Sequence, residues 1–315
     1  MSEAHRVLSV LTRTQGANQA LKAGLVAAAG FSLRFEEVPV LVKGFRRMVR
    51  NLEFDVSEMA LTTYLTAREH GVAFTALPIF LVRGFHHGAI LFNTRSGIRT
   101  PKDLEGRRVG VNRGYTVTTG VWARGILSAE YGVDLERVTW VLSGDEHVET
   151  YVPPVNVEPA APGSDLAAML IAGELDAVIG VDVDHPDVAP LIDDPDGAAM
   201  GALRDRAFYP INHLVVVKDD VLHRYPDVAG AVFDAFAEAK HRYVAALRAG
   251  DVSSASDRTY TRVLQATGAD PLPYGVEPNR AMLEELVGHA LAQHILTRPV
   301  EVDEMFAPAT LARSG

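Results

Sequence analysis

The sequence predicts a two-lobed α/β protein with two hinge strands and a C-terminal helical segment. Three observations lead there. Strand-like and helix-like patterns alternate through residues 6–80, and a second alternating series fills residues 100–181. A further strand, Ile211–Val217, then opens a stretch that reads mostly helical. Strands spaced by helices imply βαβ units and a mostly parallel sheet. A chain that leaves one lobe and returns to it crosses twice, which puts hinge strands near residues 86–92 and 211–217. The expected divisions are residues 1–88 for the first part of lobe 1, 89–210 for lobe 2, and 211–315 for the return strand and helices packing on lobe 1.

The elements follow in order. Arg6 to Arg13 reads as a strand, Gln15 to Ala29 as a helix ended by Gly30, Leu33 to Val40 as a strand and Gly44 to Asn51 as a short helix. Phe54 to Leu61 and Phe74 to Phe80 are further strands. Thr100 followed by Pro101 is a helix start, with Thr as cap and Pro in the first turn. Arg108 to Asn112 is a strand, Thr116 to Tyr131 a helix closed by Gly132, Val138 to Leu142 a strand, Asp165 to Gly173 a helix and Ala177 to Val181 a strand. A Pro-containing connection spans Leu142 to Asp165, with a short strand near Val155–Val157. After Ile211–Val217 comes a long helix on which Val232, Phe233, Phe236, Tyr243, Val244 and Leu247 trace one apolar face, read as packing.

Composition narrows the function. A chain of 315 residues with 48% hydrophobic and 22% charged residues is long enough for a sizeable core. The formal charge of −10 argues against a nucleic-acid surface, though local Arg and His can hold a small anion. The absence of cysteine removes disulfides and thiolate chemistry. Glu3, His5 and Arg6 precede only a strand-length apolar run, and no stretch reaches the roughly 18 apolar residues of a membrane span. A cytoplasmic protein without membrane insertion is expected, and homo-oligomerisation is left open.

Several residues stand out against their surroundings. VRGFHHGAI, residues 82–90, carries Arg83, His86 and His87 in an apolar run, where buried ionisable groups need partners. If the strand is regular, Arg83, Phe85 and His87 share a face; backbone and surface partners are the plainer alternative. His213 sits at the start of the returning strand, and would approach His87 if both crossings line a cleft floor. Asn112, Arg113, Tyr115 and Thr116 enter a helix, where free N–H groups favour an anion; simple capping by Thr116 is the alternative. Arg13 and Thr14, then Thr62 and Thr63, follow strands, where ligands of open α/β sheets gather. Asp182, Asp184, His185 and Asp187 match no EF-hand spacing, and no HExxH occurs. They read as a solvated acidic loop rather than a metal site, with Asp182 or Asp184 able to receive ligand hydroxyls.

GIRTPKDLEGRRVGV (residues 97–111) and AGELDAVIG (172–180) resemble the second lobe of type II periplasmic-binding-protein-like folds. EFDVSEMALTTYLTAR (53–68), FHHGAILFN (85–93), VWARGILSAEYGV (121–133) and YPINHLVVVKDDVL (209–222) resemble, more narrowly, the 4,5-dihydroxyphthalate decarboxylase family, over roughly residues 5–250. Three places depart from that family's pattern: His86-His87 replaces an Arg-His pair, NRGYTVTTG replaces a Pro-Glu-Tyr-Gln type of loop, and VDVDHPDV follows the strand at 177–181.

The resemblance implies a decarboxylase of a hydroxylated aromatic dicarboxylate, acting in aromatic catabolism with no organic cofactor. A proton added at the ring carbon bearing the carboxylate gives a dearomatised cation, and loss of CO₂ restores the ring. On this expectation His87 donates the proton and His213 polarises a hydroxyl. Arg83, Arg113 and the helix start at Thr116 hold carboxylates, with His86, Arg13, Thr14, Thr62, Thr63, Asn112, Tyr115, Asp182 and Asp184 lining the ligand. The alternative is a non-catalytic solute-binding protein of an ABC-type uptake system for a small organic anion.

Overall fold

The computed structural model describes residues 6–252 and 254–315; Glu3 and His5 of the leader reading lie outside the described residues. The chain divides into two compact units. One comprises the chain up to Gly84 with Ile211–Glu284 and Val300–Gly315, the other Phe85–Pro210 with Glu285–Pro299. Residues 285–299 thus group with the second unit, although the sequence reading placed all of 211–315 with the first.

In chain order the first unit supplies β1 (Arg6–Leu11), α1 (Gly16–Lys22), β2 (Phe31–Glu36), α2 (Leu41–Asn51), β3 (Val56–Ala60), α3 (Leu61–Glu69) and β4 (Phe74–Arg83). The second unit supplies β5 (Ile90–Asn93), β6 (Arg108–Val111), α4 (Thr118–Tyr131), β7 (Thr139–Leu142), β8 (Val157–Pro159), α5 (Leu166–Ala172), β9 (Ala177–Ile179), β10 (Val188–Pro190) and α6 (Pro195–Arg206). The chain returns through β11 (Ile211–Lys218), α7 (Asp219–Arg224), α8 (Val228–Ala249), α9 (Ala255–Thr267) and α10 (Arg280–Ala292).

Among the described residues the first unit's sheet runs β2-β1-β3-β11-β4. β1 is parallel to β2 and β3, while β11 enters antiparallel between β3 and β4. The late strand therefore sits inside the sheet, which explains its continuous apolar run Leu214–Val217, all 0% exposed. The apolar face expected on α8 is buried at every one of its six positions, none more than 7% exposed. Each such side chain contributes about 1.5–3 kcal/mol on burial.

The second unit's sheet runs β10-β5-β9-β6-β7-β8. Leu166 and Leu170 of α5 pack with Val141, Leu175 and Val178 into a core cluster. Gly110 in β6 permits this approach, because a Cβ there would lie 2.8 Å from Leu175 and 3.2 Å from Leu166.

Three local expectations are corrected. The first helix stops at Lys22 rather than Ala29, because Gly24 turns the chain at φ +74 and Ala28 already bridges to Phe31. Thr100 caps a single 3₁₀ turn, Pro101–Leu104, held by a reciprocal bond with Asp103. The strand expected through residues 82–90 breaks: β4 ends at Arg83, and His87–Ala89 form a 3₁₀ turn before β5. Among the described residues no helix is long and apolar enough to cross a membrane.

Candidate functional site

In the first unit a carboxylate and an imidazole meet on one face of the sheet. Glu58 pairs with Val215 and Ala60 with His213 across the β3–β11 ladder. Directly opposed residues share a face, so Glu58 and His213 are diagonal neighbours, within reach for long side chains. His213 Nδ1 lies 2.7 Å from Glu58 Oε1. The Glu58 side chain is fully buried and that of His213 is 19% exposed. On the β4 side the ladder slips at His213, and such an irregularity re-aims a side chain. The imidazole and the Phe45 ring pack edge to face, with ring centroids 5.3 Å apart.

Glu58 is held from the β1 side as well. Its Oε2 accepts the backbone N–H of Arg13 at 2.9 Å, and its Oε1 accepts Gln15 Nε2 at 3.2 Å. These donors supply the partners that a buried carboxylate needs. With the carboxylate as acceptor, Nδ1 is the donor of this bond, and Nε2 lies on the ring's other side.

Arg13, Thr14 and Gln15 also line a cavity of about 430 Å³, with Tyr243, Asp257 and Tyr260 among its other walls. Tyr260 accepts a hydrogen bond from the Arg83 backbone. Burial pushes its phenol up, against the pull of that bond and of the Arg83 and Arg13 charges. Arg83 is 7% exposed and donates to Asn279 Oδ1 at 2.8 Å. Asn279 is itself fixed by donating to the carbonyls of Pro273 and Gly275 at 2.9 and 2.8 Å. Thr62 and Thr63 are buried in the first turn of α3, directly beyond β3. The unit thus gathers Arg13, Thr14, Thr62, Thr63, Arg83 and His213 on its sheet's strands and the turns and helix starts that follow them.

The second unit holds the other candidates. His86 and His87 are both buried, and His87 is completely enclosed. His87 Nε2 lies 3.0 Å from Glu130 Oε2, and Phe208 packs against the ring at 6.0 Å. Arg206 also bonds to Glu130 and reaches Glu285 at 3.0 Å. Burial works to raise the Glu130 carboxyl, but His87 and Arg206 outweigh it and hold the group below its ordinary range.

At residues 112–119 the expected anion position is occupied by the chain's own Glu146. Its carboxylate accepts the backbone N–H of Tyr115 and, at 3.2 Å, that of Thr116, and takes the Thr116 hydroxyl at 2.6 Å. Thr116 therefore does not cap the helix; α4 begins at Thr118 behind Val117. Tyr115 is 2% exposed and lies over Arg124, whose guanidinium is 3.8 Å from the ring centroid. Asn112 donates to the Gly180 carbonyl at 2.7 Å, and Arg113 is exposed, in the left-handed region at φ +71. Asn112, Arg113 and Thr119 line a small cavity of about 180 Å³. Asp182 and Asp184 are exposed and line a separate, open one of about 600 Å³ with Gly88 and Gly180. Among the described residues no group of three or more His, Asp or Glu stands together as a metal site.

The sequence reading missed Glu58, Asn279 and Glu146; Gln15 it placed beside Arg13 and Thr14 after the first strand, without its bond to Glu58. Glu58 carried a signal: it is a lone carboxylate in a strand-length apolar run, the same anomaly that drew attention to VRGFHHGAI. Nothing in SGDEHV distinguished Glu146 from any other loop acid.

No protein-family model matches the chain. Similar curated proteins do. A 4,5-dihydroxyphthalate decarboxylase of Comamonas testosteroni is 30% identical over 287 residues, 85% of this chain and 86% of that protein. A 4,5-dihydroxyphthalate decarboxylase of Pseudomonas putida is 37% identical over 169 residues, 49% of this chain and 65% of that one. Among solved structures, the periplasmic aliphatic sulphonate binding protein SsuA of Escherichia coli aligns with TM-score 0.55 at 12% identity, over 98% of this chain and 100% of that one. The desulfurization enzyme DSZB aligns with TM-score 0.55 at 17% identity, over 98% of both chains. At these identities the structural likeness shows the fold, a periplasmic-binding-protein-like one.

Proposed function

This chain belongs to the 4,5-dihydroxyphthalate decarboxylase family, and from that premise we propose that it is a cofactor-independent carboxy-lyase of a hydroxylated aromatic dicarboxylic acid. The observation that carries the reading is the buried Glu58 bonded at 2.7 Å to the half-open His213, beside Arg13 and its cavity. Expelling CO₂ directly from the ring would leave an aryl carbanion. Protonation first avoids it. His213, protonated at Nε2, transfers that proton to the ring carbon bearing the carboxylate, and a ring hydroxyl shares the positive charge that results. The carbon–carboxylate bond then breaks, its electron pair returns to the ring, and CO₂ departs. Solvent reprotonates His213, so each turnover consumes one proton.

Glu58 has two tasks in this scheme. It orients the imidazole, and it stabilises the imidazolium between turnovers. Arg13 and Arg83 supply the cations for the two carboxylates. A guanidinium can take a carboxylate through two parallel bonds, which fixes the ring plane as well as its position. The assignment moves the proton from His87, the sequence-based candidate, to His213, because His87 Nε2 is engaged by Glu130.

The test is incubation with a panel of hydroxylated benzene carboxylates, following CO₂ release and thermal shift together. CO₂ from 4,5-dihydroxyphthalate, with a melting shift from the same compound, is the expected result. A shift with no CO₂ from any member would overturn the enzymatic reading in favour of a binding protein.

A further inference from the structure

The cavity beside Arg13 has a second wall that the proton chemistry does not use. That wall carries Tyr243 from α8, Ser254 before α9, and Ser256, Asp257 and Tyr260 within α9. We infer that Asp257 is the acceptor for the substrate's ring hydroxyls, so that this wall selects hydroxylated aromatic acids over their bare analogues. The inference rests on the function proposed above.

Asp257 is 8% exposed, yet it lines the cavity. One carboxylate oxygen accepts the Ser254 N–H at 2.6 Å and closes the cap of α9. The other takes the hydroxyl of Tyr243. An ionised carboxylate offers about four acceptor directions. Three are used here, by the Tyr243 hydroxyl and by the N–H and hydroxyl of Ser254, and the Asp257 carboxyl is held below its ordinary range: burial works to raise it, but these bonds prevail. It is therefore an acceptor-only group at neutral pH. A phenolic O–H is a donor that such a group receives through a charge-assisted bond.

The arrangement is built around Gly16. A Cβ at that position would overlap the Tyr243 ring, so only glycine lets the ring lie against the start of α1, where Gln15 also binds Glu58. Tyr243 in turn aims its hydroxyl at Asp257. The two walls offer opposite chemistry: the guanidinium of Arg13 for carboxylates, and the carboxylate of Asp257 for hydroxyls. A benzene ring with carboxylates on one edge and hydroxyls on the other meets both demands in one orientation.

The test uses the full chain carrying His213→Gln, so that the dihydroxy acid is not consumed. Calorimetry measures the affinity for 4,5-dihydroxyphthalate and for phthalate, with and without Asp257→Asn. Asparagine serves as the same cap elsewhere in this molecule: Asn18 Oδ1 accepts the Gln15 N–H at 2.9 Å. The expected result is a loss of about ten- to a hundredfold for the dihydroxy acid, with phthalate unchanged within about twofold. Tyr243→Phe, which frees one acceptor position on Asp257 without removing the carboxylate, keeps or raises the preference for the dihydroxy acid; a loss as selective as that of Asp257→Asn would assign the hydroxyl recognition to Tyr243 and overturn the inference. Equal losses for both acids, or none, overturn the inference. If wild-type protein releases no CO₂ while the selective loss persists, the proposed reaction fails and the hydroxyl site stands. If neither acid binds, both fall.

Discussion

Each unit of the molecule carries a histidine bonded to a glutamate, and the two pairs differ in where the burial lies. In the first unit the carboxylate of Glu58 is wholly enclosed and the ring of His213 is partly open. In the second the ring of His87 is wholly enclosed and Glu130 is 21% exposed, its charge shared with Arg206. The order matters. A buried carboxylate behind an open imidazole fixes the tautomer and leaves the far nitrogen to work. An enclosed imidazole behind a partly open carboxylate has no face left for a substrate, and its second nitrogen finds no partner among the described residues. On the proposed function, the same two residue types serve proton transfer in one unit and packing in the other.

The largest expected effect breaks the comparison at its active side. His213→Gln should lower the rate of CO₂ release by about 10²- to 10⁴-fold, the range a positioned acid–base group supplies. Its melting temperature should stay close to wild type, since glutamine can still donate to Glu58. Single-turnover CO₂ release on the purified variant, with calorimetric melting alongside, reads both numbers. Turnover within a factor of three of wild type would remove the pair from the chemistry.

The sequence disclosed these two sites unequally, for physical reasons. Periodicity reports burial of an element's face, so the alternation of strands and helices, the return strand at 211–217 and the packing face of α8 were all legible. Periodicity does not report which polar side chains meet. Glu58 and His213 lie 155 positions apart and become neighbours only through the β3–β11 register. The VWARGIL segment, which marked the family, proves to be packing: Trp122 and Arg124 are both 0% exposed, and Arg124 holds the Tyr115 carbonyl at 2.6 Å. The Pro-containing connection after β7 gave no hint that Glu146 folds back 30 positions onto Thr116. Closure of a loop by one side chain leaves no repeating pattern to read.

That loop supplies the next effect. The N–H groups of Tyr115 and Thr116 form an anion position, and Glu146 fills it. Glu146→Ala should destabilise the protein by about 1–3 kcal/mol, because buried donors lose a charged acceptor. Sulfate at tens of millimolar should restore part of the lost melting temperature in the variant and add little to wild type, since the anion would take the vacated place. Equal stabilisation of both proteins by sulfate would mean that the carboxylate is not holding an exchangeable anion position.

The smallest effect sharpens the comparison from its packing side. His87→Gln keeps a donor toward Glu130 but shortens the group that packs on Phe208. Arg206 remains to neutralise the carboxylate, so no charge is left stranded. The expected loss is therefore modest, about 1 kcal/mol, within the range of a single buried hydrogen bond. Turnover per folded molecule should be unchanged, which thermal melting and CO₂ release measured on one preparation can separate. The sequence alone favoured His87 as the proton donor, because an imidazole in an apolar run is conspicuous. A hundredfold fall in turnover with an unshifted melting curve would restore that role and make Glu130, not Glu58, the carboxylate that matters. The two histidine variants thus form one experiment, in which the loss of rate and the loss of stability are expected to fall on different proteins.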